Sequence, residues 1–402
     1  MNLDKKVPEI RFAGFGGKWD KKELGTDVAD IIGGGTPSTS ISEFWNGDID
    51  WYSPTEIGDN VYAEGSQKKI TALGLKSSSA KILPAGRTVL FTSRAGIGDM
   101  AILASSGATN QGFQSFVVKE GFSPYFIYSI GKQIKEFALK HASGSTFLEI
   151  SGKQLGRMEI LIPCEKEQAT IGNYFQKLDS LINQHQQKHD KLSSLKKAML
   201  EKMFPKQGET VPEIRFKGFS GEWKSTALAE LALFNPREDL PASFKYVDLE
   251  SVKGTSLIGY RKELKENAPS RAQRLAKKGD VFFQTVRPYQ KNNYLFNKDD
   301  DDFVFSTGYA QLRPYYDGDF LLNLVQRDPF VKDVLDNCTG TSYPAINASI
   351  LAGLRVQYPE SKEEQAAIGS YFQKLDTLIN QHQQQITKLT NIKQACLSKM
   401  FV

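Results

Sequence analysis

The chain has few of the residues that build metal sites, disulfide frameworks and membrane spans. Its 402 residues include only three cysteines and four histidines. Cys164, Cys338 and Cys396 are widely separated, with no CxxC pair. Such cysteines predict reduced thiols in a cytoplasmic protein and argue against a zinc ribbon. No secretory signal is recognisable, and no apolar run approaches the ~20 residues of a membrane span.

The net charge is also small, and the catalytic motifs are absent or incomplete. Lys and Arg number 51 against 46 Asp and Glu, for a formal charge of +5, so any DNA-binding surface must be local. No GxxxxGK[ST] phosphate loop is present. Phe12–Gly16 spells the FxGxG loop that binds the adenosyl cofactor in methyltransferases, but a second copy of the segment loses the last glycine. Asn235–Glu238 begins like an adenine-binding NPPF motif and lacks its second proline and aromatic residue.

The chain does contain an internal duplication. The segments Glu167–Phe204 and Glu364–Phe401 are identical at 26 of 38 positions. The segments Val7–Trp19 and Val211–Trp223, which we call the leads, are identical at 10 of 13 positions. The order of parts is therefore lead, variable block and helix, written twice.

Each repeated helix is proline-free and carries apolar residues at alternating steps of four and three, which indicates a coiled-coil seam. A helix of ~57 Å needs a partner for this stripe, and each copy is the natural partner of the other. Short connections then predict an antiparallel pair. The seam histidines His185 and His382 are interpreted as polar positions that fix the register of the two helices. The less favoured alternative is a metal site or a pH-sensitive site. The predicted seam comprises Ile171, Phe175, Leu178, Ile182, His185 and Leu192 with Ile368, Phe372, Leu375, Ile379, His382 and Leu389.

The variable blocks predict an α+β fold. In both blocks a short apolar run follows a glycine, at Thr88–Thr92 and Val281–Thr285, as expected of a strand after a turn. Pro124–Lys140 and Gly318–Asp336 have helical patterns, and the acidic run Asp299–Asp302 is interpreted as a hairpin tip rather than a metal site. We therefore predict two similar α+β domains, joined and separated by two long antiparallel coiled-coil helices with internal pseudo-twofold (cyclic) symmetry. The predicted boundaries are 1–19 (lead), 20–163 (first domain), 164–205 (first helix), 206–223 (second lead), 224–360 (second domain) and 361–402 (second helix).

Polar, aromatic and basic residues in the predicted loops have the chemistry of DNA contacts. Arg and Lys pair with guanine edges, Asn and Gln pair with adenine edges, and hydroxyls contact phosphates. Arg94 and Arg287 are singled out because an arginine ends the equivalent strand in both blocks. Taken singly, each of the other residues fits an ordinary surface residue better than a DNA contact. The predicted contacts are Thr36, Ser38, Thr39, Thr92, Ser93, Arg94, Asn110, Gln111, Gln114, Ser145 and Thr146 in the first block, and Gln284, Arg287, Tyr289, Lys291, Asn292, Asn293 and Tyr343 in the second.

Over its full length the chain resembles the specificity subunit of a type I restriction–modification system. The resemblance rests on the two leads, the helix string EQxxIGxYFQKLDxLINQHQQ, and the segments Gly34–Ser53 and Gly144–Ser151. It implies two target-recognition domains that each read half of a split sequence in double-stranded DNA, with the helices as a ruler. It also implies a cytoplasmic bacterial or archaeal complex in which this chain binds no cofactor. Two modification subunits use S-adenosylmethionine to methylate adenine N6, and restriction subunits use ATP and Mg²⁺.

Two competing hypotheses stay open at this point. In the first alternative, the chain is a coiled-coil adaptor whose two domains bind proteins. In the second, it is an autonomous endonuclease that uses Asp248, Glu263 and Lys265, which have the composition of a nuclease metal site. Specific duplex affinity with a steep salt dependence separates the first alternative from DNA recognition. DNA cleavage by the purified chain with Mg²⁺ would support the second.

Overall fold

The chain folds into two compact units in the computed structural model, which describes residues 7–58, 60–94, 96–144, 148–340 and 342–402. Unit 1 comprises Met1–Gln186 with Gln384–Val402, and unit 2 comprises Gln187–Gln383. Each unit therefore contains one variable block and parts of both repeated helices. Each long helix contributes to both units.

Unit 1 is built on a five-stranded and a three-stranded sheet. Its strands are β1 (Asp20–Glu23), β2 (Ala29–Gly33), β3 (Trp45–Tyr52), β4 (Tyr62–Ala63), β5 (Lys68–Ile70), β6 (Thr88–Phe91), β7 (Met100–Leu103), β8 (Gly107–Thr109), β9 (Gln114–Val118) and β10 (Glu159–Ile162). Its helices are α1 (Ala72–Lys76), α2 (Pro124–Ser129), α3 (Gly131–His141), α4 (Gly152–Gly156) and the start of α5 (Glu165–Lys202). The sheet orders are β2-β9-β6-β7-β4 and β5-β3-β8, with β1 and β10 as a separate antiparallel pair.

Unit 2 contains two four-stranded sheets. Its strands are β11 (Lys224–Ala227), β12 (Ala232–Phe234), β13 (Ser243–Val247), β14 (Val252–Lys253), β15 (Ser256–Leu257), β16 (Arg261–Leu264), β17 (Ala272–Leu275), β18 (Val281–Gln284), β19 (Tyr294–Leu295), β20 (Phe303–Ser306), β21 (Tyr309–Pro314) and β22 (Arg355–Tyr358). Its helices are α6 (Gly318–Gln326), α7 (Asp328–Asp336), α8 (Ala348–Gly353) and the start of α9 (Lys362–Lys399). The sheet orders are β12-β21-β18-β19 and β16-β13-β20-β17.

The predictions of local structure are largely confirmed. The strands expected after a glycine are β6 and β18, and both are fully buried. Each of the two predicted domain helices is split in two, at Ile130 and at Arg327. The break at Arg327 has a clear cause: Pro329 lies in the first turn of α7, and a proline has no N–H with which to continue α6.

The acidic run Asp299–Asp302 is not a hairpin tip, so that prediction is wrong. The preceding strand β19 pairs with β18, whereas the following strand β20 pairs with β13 and β17 in the other sheet. The run therefore connects two sheets. Its carboxylates pair with lysines: Lys245 Nζ lies 2.6 Å from Asp300 Oδ1 and 3.0 Å from Asp302 Oδ1.

In unit 1 the long helices pack against each other in antiparallel directions. The Phe175 ring lies 5.7 Å from the Phe401 ring, and Lys393 Nζ lies 2.5 Å from Asp179 Oδ1. Residues of higher number in α5 therefore contact residues of lower number in α9, as in an antiparallel pair. The buried seam residues of α5 in this unit are Ile171, Phe175 and Leu178, against which Leu389, Ile392 and Cys396 of α9 pack.

Unit 2 repeats this arrangement with the roles of the helices exchanged. Lys196 Nζ lies 2.5 Å from Asp376 Oδ1, and the rings of Phe204 and Phe372 are 6.3 Å apart, so the directions are again antiparallel. The buried seam residues Ile368, Phe372 and Leu375 of α9 pack with Leu192, Met199 and Leu200 of α5.

The remaining predicted seam positions, Ile182, His185, Ile379 and His382, are half-buried, as a two-helix seam predicts. Within the described ranges, no group of three or more His, Cys, Asp or Glu residues is arranged to hold a metal ion. Across the same ranges, none of the helices combines the length and the apolar character that a membrane crossing requires.

Candidate nucleic-acid interface

In unit 1 a glycine-rich loop, residues 34–40, follows β2 and packs on the end of β8. Gly35 N donates to Thr109 O at 2.9 Å, and the indole Nε1 of Trp51 donates to Gly35 O at 2.8 Å. A Cβ at Gly34 would overlap the carbonyl oxygen of Asn110, so the close approach requires glycine. The loop is thereby held against the sheet, and its tip presents exposed hydroxyl groups, those of Ser38 and Thr39.

Four predicted contact residues of unit 1 lie together beside this loop. The Thr36 hydroxyl donates to Gln111 Oε1, and Asn110 Oδ1 accepts from Gly112 N at 2.7 Å. A Cβ at Gly112 would lie 3.0 Å from Asn110 Oδ1 and 3.5 Å from Arg94 Nε, so both side chains lie against that glycine. The structure therefore brings Thr36, Arg94, Asn110 and Gln111 into one polar cluster.

A hairpin stands next to Arg94. Ser143 and Glu149 exchange both backbone hydrogen bonds at 3.0 Å, and Ile150 N donates to Ser93 O at 3.1 Å. Glu149 also forms an isolated bridge with Arg94. The predicted contacts Ser145 and Thr146 belong to the segment between these partners and lie outside the described residues.

Unit 2 contains the same frame with different side chains. Thr339 and Ala345 exchange backbone hydrogen bonds at 2.9 and 3.0 Å, and Arg287 N donates to Pro344 O at 2.7 Å. The Arg287 guanidinium lies over the ring of Tyr343, with its Cζ 4.3 Å from the ring centroid. Tyr343 is 62% exposed, so the cation and the aromatic ring form one surface feature.

The loop that carries Arg287 is strained. Arg287 (φ 54°) and Lys291 (φ 52°) both adopt left-handed backbone conformations and flank a single 3₁₀ turn, Pro288–Gln290. A left-handed non-glycine residue costs about 1 kcal/mol or more, and such strain concentrates at functional sites. Gln284 stabilises this loop, because its Nε2 donates a hydrogen bond to Gln290 Oε1 at 2.9 Å.

Burial corrects the prediction for four residues. The side chains of Thr92, Ser93, Gln284 and Asn293 are each at most 2% exposed and do not face a ligand. The side chains of Thr92, Gln284 and Asn293 support loops instead. Thr92 Oγ1 donates to Gly96 O at 2.6 Å, and Asn293 Oδ1 accepts from Gln284 N at 2.8 Å.

The remaining predicted residues have individual positions. Gln114 is half-buried, and its side chain lies against the position where a Cβ of Gly152 would stand. Tyr289 is 51% exposed. Lys291 Nζ forms an ion pair with Asp328, and Asn292 Oδ1 accepts from Gly254 N at 2.8 Å.

Sequence reasoning missed the hairpin of β14 and β15. The bond from Gly254 to Asn292 ties its tip to the loop of Arg287, and the tip exposes Lys253. The signal was the pair Lys253-Gly254 between short β-branched runs, which is typical of a tight turn. In unit 1 Trp45 was also missed; its Nε1 donates to Ser38 O at 3.0 Å, and Lys68 Nζ lies 5.9 Å from its ring centroid.

The nuclease-like residues are arranged as a salt-bridge cluster. Arg261 Nη2 lies 3.3 Å from Asp248 Oδ2, and Arg261 Nε lies 3.8 Å from Glu263 Oε1, so a guanidinium stands between the two carboxylates. Asp248 Oδ1 also accepts from Ser251 Oγ at 2.7 Å. The Arg261 cation of the chain itself thus lies close to both carboxylates.

Both units contain a buried strand, a loop with an arginine after it and a hairpin beside that loop, but the side chains around them differ. The protein therefore belongs to the class of duplicated recognition proteins. A profile of the type I restriction modification DNA specificity domain matches residues 17–194 and 251–391, well over half of the chain. The chain therefore belongs to that family, and the resemblance seen in the sequence is confirmed.

Curated relatives carry the same family description. The chain is 34% identical over 190 residues to the type I restriction enzyme MjaIX specificity subunit of Methanocaldococcus jannaschii, an alignment that covers 46% of this chain and 44% of that protein. It is 31% identical over 176 residues to the EcoR124I/EcoR124II specificity subunit of Escherichia coli, with 42% of each chain covered. The chain thus spans less than half the length of these two relatives.

A solved structure shows the fold over the whole chain. The S subunit of a type I restriction–modification system from M. genitalium superimposes with a TM-score of 0.62 and covers 98% of this chain and 99% of its own. The two sequences are 16% identical. This likeness confirms the predicted α+β fold.

Proposed function

We propose that the chain is the DNA-recognition subunit of a type I restriction–modification complex, and that each unit reads one half of a bipartite DNA target. One observation carries the proposal. Both units place an arginine shortly after the buried strand, β6 or β18, and beside a hairpin: Arg94 itself bridges Glu149, whereas Arg287 follows Val286, which bridges Ala345. The surrounding side chains differ, as two unlike half-sites require.

The proposed contacts combine base readout with backbone binding. Arg94 and Arg287 suit guanine edges, while Asn110, Gln111 and Asn292 suit adenine edges. Hydroxyl and lysine groups contact phosphates. The proposed set is Thr36, Ser38, Thr39, Arg94, Asn110, Gln111, Gln114, Ser145 and Thr146 in the domain 20–163, and Lys253, Arg287, Tyr289, Lys291, Asn292 and Tyr343 in the domain 224–360.

The long helices supply the second half of the function. We propose that their length sets the spacing between the half-sites and that their surface binds two modification subunits. Those subunits supply S-adenosylmethionine chemistry at adenine N6, and restriction subunits supply ATP- and Mg²⁺-dependent cleavage. The chain itself is proposed to be non-catalytic and to act in the cytoplasm of a bacterial or archaeal cell.

The proposal is tested by DNA binding at several salt concentrations. The chain in complex with the modification subunits is expected to bind duplexes that carry the target sequence. Its affinity for DNA is expected to fall steeply as the salt concentration rises, since each neutralised phosphate releases a counterion. A duplex with one altered half-site is expected to bind at least about tenfold more weakly. Sequence-independent or salt-insensitive binding would support the protein-adaptor hypothesis instead.

A further inference from the structure

Unit 2 contains a cavity that takes no part in the proposed DNA contacts. It lies between the segment after α5, the junction of α6 with α7, and strand β22, and its volume is about 590 Å³. Small-molecule sites commonly enclose about 300–1,000 Å³, so a ligand of nucleotide size fits this volume. One part of the lining is apolar and buried, and another part is basic. These parts include Leu324, Phe330 and Val356, and Arg327, Lys332 and Arg355, respectively.

Arg327 is a half-buried cation that the chain leaves without a counter-ion. Its Nη2 donates to Pro205 O at 2.7 Å, and its Cζ lies 4.8 Å from the ring centroid of Phe204. Its Nε is buried without a hydrogen-bond partner, and no carboxylate of the described residues forms an ion pair with the guanidinium. Burial therefore lowers the pKa of Arg327 to about 10. A cation removed from water is costly unless an anion is paired with it, and a bound ligand can supply that anion.

The equivalent position of unit 1 shows that the positive charge is not needed to hold the chain together. Helices α2 and α6 are equivalent, because each places a phenylalanine at its third position against the tryptophan of a lead. Gln133 and Arg327 each stand ten residues after the N-cap of these helices. Gln133 Nε2 donates to Val402 O at 3.1 Å, as Arg327 Nη2 donates to Pro205 O. A neutral amide thus makes the same contact, so the charge of Arg327 calls for another explanation.

Arg355 adds a second guanidinium to the wall of the cavity. Its Nε donates to Ser225 Oγ at 3.1 Å and its Nη2 donates to Ser225 O at 2.9 Å, so its position is fixed. In unit 1 the residue at the same register, the first of β10 opposite the last of β1, is Glu159. Unit 1 therefore carries a negative charge at the position where unit 2 carries a positive one.

The remaining charges leave the lining net positive. Asp328 lines the cavity but forms an ion pair with Lys291, which holds the pKa of that carboxyl below its usual value. Lys206 also lines the cavity and is paired with Glu213 at 3.1 Å. Apart from these two pairs, the lining keeps the three cations named above against the one carboxylate of Asp333. This balance of charge favours an anionic ligand.

We propose that this cavity binds a small phosphorylated molecule of nucleotide size, with its phosphate on Arg327 and Arg355 and its less polar body against Phe330. Guanidinium groups suit phosphate because they donate two parallel hydrogen bonds to it. The apolar part of the lining suits a base or a similar ring. A DNA duplex, whose major groove alone is about 12 Å wide, is too large to enter the cavity. This ligand site is separate from the proposed function, and neither requires the other.

Isothermal titration calorimetry of the full chain with AMP, ATP, adenosine and inorganic phosphate tests this site. AMP or ATP is expected to bind saturably at one site per chain, and inorganic phosphate is expected to compete for it. Adenosine, which lacks the phosphate, is expected to bind at least about tenfold more weakly. Arg327→Gln is also expected to weaken nucleotide binding at least about tenfold. The change is conservative, because a glutamine already makes the carbonyl contact in unit 1.

Arg274 provides a matched control in the same unit. It is also half-buried, its Nε is also buried without a hydrogen-bond partner, and burial also lowers its pKa. Arg274 does not line the cavity, so Arg274→Gln removes the same charge and is expected to leave nucleotide binding unchanged. Arg355→Gln repeats the test at an exposed residue and is expected to weaken nucleotide binding several-fold. Thermal unfolding of each variant checks that the fold is retained.

Three results would overturn the proposed ligand site. The first is the absence of saturable binding of either nucleotide by the unaltered chain. The second is an affinity for AMP that Arg327→Gln leaves unchanged, or that Arg274→Gln lowers as much. The third is displacement of AMP by a short duplex of unrelated sequence whose own binding Arg327→Gln weakens equally, because the charge would then belong to a DNA contact. Failure of DNA recognition with intact nucleotide binding would overturn the proposed function alone.

Discussion

The Arg11 guanidinium donates two hydrogen bonds to the Glu167 carboxylate, from Nε to Oε1 and from Nη2 to Oε2, both at 2.6 Å. Its remaining nitrogen, Nη1, donates to Gly17 O at 2.6 Å. The second copy of the chain repeats the pair, with Arg215 and Glu364 joined by two bonds of 2.7 Å. In each unit this ion pair fastens a lead to the start of a long helix.

Removal of the Arg11 side chain is expected to destabilise unit 1 strongly. The Glu167 side chain is fully buried, so Arg11→Met leaves an unpaired carboxylate in the interior, at a cost of about 3–5 kcal/mol. Removal of both charges in Arg11→Met with Glu167→Leu is expected to recover most of that loss. Urea unfolding followed by circular dichroism measures both. A loss below about 1 kcal/mol in the single variant would show that the pair is dispensable.

Arg94 and Arg287, which follow the buried strands β6 and β18, are expected to affect different half-sites. Arg287→Ala should weaken binding by about 1–3 kcal/mol and relax base preference in one half-site only, because a bidentate contact to one base is lost. Arg94→Ala should do the same in the other half-site. Competition binding with duplexes randomised in one half at a time measures the effect. Each variant is the control for the other, and relaxation of both half-sites by either one would refute the assignment.

The stability of unit 2 is expected to respond to Asp319. Burial raises the pKa of this carboxyl to about 6, with further contributions from Asp317 and Asp376. A raised pKa means that the folded state binds the proton more tightly than the unfolded state. Protonation of Asp319 therefore stabilises unit 2 as pH falls from 7 through 6 towards 4. Asp319→Asn is expected to raise the stability at pH 7 by about 1 kcal/mol or more and to remove this contribution.

This prediction is measured as the difference in unfolding free energy between the original chain and Asp319→Asn at pH 5 and pH 7. Carboxylates with lowered pKa values, such as those of Glu213 and Asp300, act in the opposite direction in both proteins and cancel in the difference. A difference that is the same at both pH values would contradict the assignment.

The chain is expected to tolerate circular permutation. Ile10 N donates to Lys399 O at 3.0 Å in unit 1, and Ile214 N donates to Lys202 O at 2.9 Å in unit 2. Ile10 is therefore bonded to the end of α9 in the same way as Ile214 is bonded to the end of α5. A permutant that joins the termini and opens the chain at Gln207 should fold with a Tm within a few degrees of the original. A permutant that unfolds at a much lower temperature would show that this equivalence is only local.

Several features were predictable from sequence because they depend on local periodicity. The seam of the long helices was predicted from apolar spacing alone, and its members Phe175 and Phe372 are buried in the cores of the two units. The helices end at Lys202 and Lys399, three residues before the predicted boundaries, since Phe204 and Phe401 leave the helices to pack on other aromatic rings. That choice depends on the domain cores, which no local pattern encodes.

The candidate site was less predictable for a related reason. Gln284 and Asn293 were assigned to DNA because of their amides, but contacts between distant segments bury both side chains. A hydrogen bond from Gly254 to Asn292 brings the segment of Lys253 to the loop of Arg287, although the two lie far apart in sequence. Residue type indicates which chemistry is available, whereas the sheet topology decides which side chains face a ligand.

The most direct measurement is the methylation pattern of genomic DNA from cells that express this chain with its modification subunits, read by single-molecule sequencing. The account predicts N6-methyladenine within one split motif, with two defined half-sites separated by a spacer of fixed length and unspecified sequence. An Arg287→Ala strain should show relaxed sequence in one half only. A continuous motif, or methylation that requires only one half-site, would contradict the account.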